Sequence, residues 1–90
     1  MRKFLILPAL ALVAATAAAA SDKVGVEVPR DQWLSVAQVA EKFTAQGYDV
    51  RSVEAEKRSY EIEAIDKDGR RLEIYAHPAT GEILKQELDD

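Results

Sequence analysis

Between Tyr60 and Ala76 the chain alternates apolar and polar residues through two short runs, and this alternation limits most strongly what the chain can build. Side chains on a strand point to opposite faces in turn, and a slip of one residue would move the whole apolar set to the wrong side. Tyr60, Ile62 and Ala64 share one face of a first run, and Leu72, Ile74 and Ala76 share one face of a second. Facing these sets against each other requires pairs such as Ala64 with Leu72 and Ile62 with Ile74. That register leaves Lys67, Asp68 and Gly69 as the loop. Loops of this length commonly place a residue with positive φ last, where glycine carries no Cβ penalty. Gly69 stands where that turn needs it.

The same register sets Glu63 opposite Glu73 on the outer face, a destabilising like-charge pair, with Arg71 diagonal to Glu63. Such a face is either simply solvated, its repulsion weak, or a site for a cation or a basic partner.

The amino-terminal part is set apart from this hairpin. Arg2 and Lys3 are followed by an apolar run from Phe4 to Val13 and by small residues from Ala14 to Ala20. These are the three parts of a secretory signal peptide, with cleavage expected after Ala20 and a periplasmic or secreted product. The run is marginal in length for a membrane span and rich in alanine, so no membrane association is expected once it is removed. Arg2 and Lys3 precede the cut and all acidic residues follow it, so ten basic and sixteen acidic side chains leave a mature charge of −6. Such a chain is drawn neither to nucleic acid nor to anionic lipid and would sooner meet a basic surface. It holds no cysteine, so the fold is not stapled by disulfides. A core of this size supplies about 3–5 kcal/mol, so dimerisation or a bound partner would matter.

Residues 21–31 read as a flexible arm: Val24, Val26 and Val28 alternate, but Gly25 and Pro29 interrupt them. A helix is expected from Ser35, because Ser35 and Gln38 form a capping box and Leu34 with Val39 a hydrophobic staple. Asp31 is a rival cap that would lengthen the helix by a turn. Val36, Val39, Ala40 and Phe43 make one apolar stripe, and Gly47 ends the helix. Tyr48 to Glu56 reads as a strand with Val53 and Ala55 on one face and Ser52, Glu54 and Glu56 on the other. Its turn lies among Lys57, Arg58 and Ser59, where no glycine or asparagine fixes the register. His77-Pro78-Ala79-Thr80-Gly81 is a second turn, returning into a short strand over Glu82–Gln86 with Ile83 inward and Leu84 outward. Residues 32–86 then form the domain and 87–90 a charged, fraying tail. One helix must cover the apolar face of the sheet, giving an α+β fold, α-β-β-β-(β), with a three- to four-stranded antiparallel meander.

Trp33 ahead of the helix, Gly47-Tyr48 after it, the Tyr-Glu-Ile-Glu strand from Tyr60, Asp68-Gly69 at the hairpin and Pro78-Ala79-Thr80-Gly81-Glu82-Ile83 near the end resemble the PepSY domain, and most closely its short, stand-alone exported members. The resemblance covers Trp33 to Leu84. It implies a non-enzymatic module, since such domains occur in propeptides of thermolysin-like metalloproteases and in cell-envelope proteins and are proposed to restrain or regulate proteases. One departure stands out: these proteins usually carry an aspartate before the Pro-x-Thr-Gly turn, where this chain has His77.

The residues themselves supply no catalytic set, and neither cofactor nor metal is expected. His77, before a proline, reads as a polar turn residue and not a general base. Asp66 and Asp68 begin a calcium-loop pattern whose later ligands are missing. The leading expectation is a module that binds a protein, such as a protease, through the outer face of the sheet, where Ile65, Tyr75 and Leu84 would form an apolar centre among Glu61, Glu63, Arg71 and Glu73. Scattered exposed apolar side chains are also normal on a small protein. Two alternatives are a self-associating structural envelope protein, a homodimer through an exposed strand, and a small-ligand or metal sensor, which needs a pocket that one helix on one sheet can hardly enclose.

Overall fold

The computed structural model describes residues 24–89; the signal peptide expected over residues 1–20, the start of the arm and Asp90 lie outside the described residues. A 3-10 turn over Arg30–Gln32 leads into helix α1, Val36–Ala45, followed by strands β1 (Asp49–Ala55), β2 (Tyr60–Ile65), β3 (Arg71–Ala76) and β4 (Ile83–Leu88). The strands form one antiparallel sheet in the order β1-β2-β3-β4, the expected meander, with the expected helix ahead of it.

The helix starts and stops where its chemistry dictates. Ser35 Oγ accepts from the Gln38 N–H at 3.1 Å, and Gln38 Oε1 accepts from the Ser35 N–H at 2.8 Å, completing the capping box. At the other end Gly47 N–H donates to Thr44 O at 3.0 Å and Tyr48 N–H to Phe43 O at 3.1 Å, the paired bonds that close a helix around a left-handed residue. Phe43 and Tyr48 meet there as tilted rings 5.6 Å apart. Asp31 caps nothing, because it lies inside the 3-10 turn. Val36, expected in the apolar stripe, is 49% exposed, whereas Val39 and Phe43 are fully buried.

The central hairpin has the expected register, Ile62 opposite Ile74 and Ala64 opposite Leu72, and Asp66 N–H to Arg70 O at 2.9 Å closes the Lys67–Gly69 loop, with Gly69 at φ +84°. Val39 and Phe43 pack with Tyr60, Ile62, Ala64, Leu72, Ile74 and Ala76 in one core, flanked by Trp33, Leu34, Tyr48, Val50 and Val53. Tyr60 joins helix entry to sheet: its hydroxyl donates to Leu34 O at 2.5 Å, and its ring meets Trp33 edge-on at 5.2 Å.

Three local features depart from the alternation. A bulge at Arg51 lets both Val50 and Val53 lie on the core side, opposite Ala64 and Ile62. Strand β4 runs to Leu88, two residues beyond Gln86, and a second bulge makes Leu84 the extra residue between the Ala76–Ile83 and Tyr75–Lys85 pairs. Ile83, expected inward, is 37% exposed, because β4 is an edge strand and every residue of it is exposed. Residues 24–29, read as part of an arm, are fastened to the first hairpin: Val26 N–H donates to Arg58 O and Trp33 Nε1 to Val28 O, each at 2.9 Å. A Cβ on Gly25 would stand 2.0 Å from Arg58 O, so this close approach requires glycine.

Candidate functional site

The helix covers one face of the sheet, and the cross-strand register arranges the other in rows. One row runs Glu54, Glu61, Tyr75, Lys85, and the next Ser52, Glu63, Glu73, Glu87. Ile65 faces Arg71 at the end of the hairpin. A depression of about 180 Å³ lies within these rows, lined by Ser52, Glu54, Glu61, Glu63 and Glu73.

The carboxylates in these rows are close enough to perturb one another. Glu61 is pushed up from 4.5 to about 8, chiefly by a hydrogen bond with Glu73, then by burial and the Glu73 charge, with Glu56 adding a hydrogen bond and charge of its own. Glu63 is also raised, first by a hydrogen bond with Asp89, then by burial and the Asp89 charge; Arg71 opposes this. Carboxylate oxygens of Glu54, Glu56 and Glu61 lie within 4.8 Å of one another, an arrangement that could hold a cation, though exposed acidic groups commonly cluster without one.

Of the seven residues expected to form a contact face, Glu61, Glu63, Ile65, Arg71 and Glu73 are brought together on the outer rows, the glutamates half-buried and Arg71 exposed. Tyr75 lies in the outer row as its parity requires, yet it is only 5% exposed and stands outside the core cluster, so it offers no exposed aromatic contact. Leu84 is 38% exposed but sits in the β4 bulge, away from a fixed place in the rows. Ser52, Glu54 and Glu56, expected together on one side of their strand, join this face, and the β1–β2 register supplies the partners that the sequence left open, Glu63 for Ser52 and Glu61 for Glu54.

Two suspected motifs have structural work. Asp66 Oδ1 accepts the N–H groups of Asp68 and Arg70, both at 2.9 Å, which shapes the hairpin loop. His77 Nδ1 accepts from Ala79 N–H at 3.1 Å and Thr80 N–H at 3.3 Å, so the imidazole does in this turn what a carboxylate can do at the same place. Another concavity, about 300 Å³, lies between the end of α1 and the Lys67–Gly69 loop, lined by Gln46, Gly47, Tyr48, Asp66, Lys67, Asp68, Leu72 and Gln86. That is the lower end of the range that small-molecule pockets occupy, about 300–1,000 Å³. Among the described residues no helix is long and apolar enough to cross a membrane.

The chain matches the family model described as peptidase propeptide and YPEB domain over residues 4–87. Comparison with curated proteins finds no match, and comparison with solved structures finds none.

Proposed function

Because the chain belongs to the peptidase propeptide and YPEB domain family, PepSY, we propose that it is an exported, non-enzymatic binding module that regulates or inhibits a protease of the cell envelope. The observation that carries this is the sheet face opposite the helix, which no other described element covers and where Glu54, Glu61, Glu63 and Glu73 line one depression. A face of that charge suits a basic surface on a protein partner and repels nucleic acid and anionic lipid. His77, the chain's one histidine, is engaged by its own turn, which favours a structural role over catalysis.

The test is an affinity capture from the source organism's envelope and secreted fractions, with the purified protein as bait and a Glu61→Lys/Glu63→Lys variant as control. Enrichment of a protease that the variant does not capture supports the proposal, and inhibition kinetics on that protease follow. Capture of no protease, or equal capture by both baits, removes it.

Self-association is a second reading, favoured by one observation: among the described residues β4 ends the sheet with no strand beyond it.

A further inference from the structure

The edge formed by β4 carries its own complement. The Asp89 N–H donates to Arg71 O at 2.9 Å, continuing the ladder in which Leu88 faces Leu72, Glu87 faces Glu73, Gln86 faces Ile74 and Lys85 faces Tyr75. In an antiparallel ladder, hydrogen-bonded and non-hydrogen-bonded pairs alternate. Arg71–Asp89, Glu73–Glu87 and Tyr75–Lys85 are therefore the bonded pairs. The backbone groups of Lys85 and Glu87 point to β3, and those of Gln86 and Leu88 point out from the free edge.

A second copy adding antiparallel to this edge must bring outward-pointing residues opposite each other, so only every other register is open to it. Centring the two-fold on Lys85 would set lysine against lysine, and centring it on Glu87 would set glutamate against glutamate. Centring it on Gln86 sets Lys85 against Glu87 of the second copy twice, within the stretch from Lys85 to Leu88 that follows the Leu84 bulge. Lys85 Nζ and Glu87 Oε2 are 2.9 Å apart along their own strand, so both heads already occupy the face on which the exchanged pairs would form.

Resting on the self-association reading above, we infer that the chain forms a two-fold dimer by antiparallel pairing of β4 with β4 of a second copy, centred on Gln86. The two sheets join into one, with both helices on the same side and both acidic faces on the other. An interface of one short strand belongs with the weak, transient class, so the dimer forms as concentration rises.

Sedimentation velocity across a concentration series tests this, using protein purified from cells that express the full 90-residue chain. The native protein shifts to dimer mass with concentration. Lys85→Glu and Glu87→Lys each sediment as monomers alone, because each sets like charges across the axis, and mixing the two variants restores a species of dimer mass. A salt bridge within one chain cannot produce that rescue on mixing. Gln86→Pro provides a second block, since the N–H it removes points out of the edge and the β3 ladder stays intact; melts by circular dichroism confirm that each variant folds. A native protein that stays monomeric to its solubility limit sinks self-association altogether. Dimers that form equally in all three single variants leave self-association standing and overturn the β4 register.

Discussion

Glu61 is hydrogen-bonded to Glu73 across the diagonal between β2 and β3, and this contact is the largest of the influences that raise the Glu61 carboxyl from 4.5 to about 8. A carboxyl with a raised folded value binds its proton more readily folded than unfolded. Its contribution to stability is complete below the unfolded value and is lost as the pH rises through the folded one. The fold should therefore lose stability between about pH 5 and about pH 8, the reverse of ordinary acid unfolding. Thermal melts across that window check the sign, and Glu61→Gln should flatten the slope.

Phe43 is fully buried between α1 and the sheet. Phe43→Ala should cost about 3–5 kcal/mol, which equals about the whole stability of a domain of this size. Circular dichroism should show an unfolded chain at room temperature.

The Tyr60 hydroxyl ties β2 to the carbonyl just ahead of the helix cap. Tyr60→Phe keeps the ring contact with Trp33 and should cost about 0.5–1.5 kcal/mol in urea denaturation. A larger loss would show that the Leu34 carbonyl finds no substitute donor.

His77 supports its turn through two backbone N–H groups. His77→Ala should cost about 1 kcal/mol by calorimetric melting, as loss of a turn or cap acceptor does, and His77→Asp should keep most of it. A His77→Asp variant no better than His77→Ala would count against the acceptor role.

Tyr75 is buried although its register places it on the outer face. Tyr75→Ala should therefore lower the melting temperature, the behaviour of a packed residue and not of an exposed contact.

The parts of the fold legible in the sequence are those that two local signals specify at once. Alternation and Gly69 agree on the central hairpin, and Ser35 with Gln38 marks the helix start, so both stand where the residues place them. The Arg51 bulge has no such mark: nothing about arginine announces an extra residue, and without it the β1–β2 register and the place of Glu54 beside Glu61 stay open. Glu87 and Leu88 read as a tail because charge suggests fraying, yet the ladder to β3 carries them on and brings Asp89 to Glu63. Burial of Tyr75 is a tertiary outcome that parity cannot supply. The Glu63–Glu73 pair was legible; the diagonal from Glu61 was not, because its strength depends on burial as well as position.

The rows of carboxylates also decide how two such molecules can approach. Brought face to face, two copies would press Glu54, Glu61, Glu63 and Glu73 against their own images, so layer-on-layer stacking of sheets is opposed by the surface itself. Lateral growth meets no such barrier at β4. The acidic face thus acts as an electrostatic spacer against stacking on that side of the sheet.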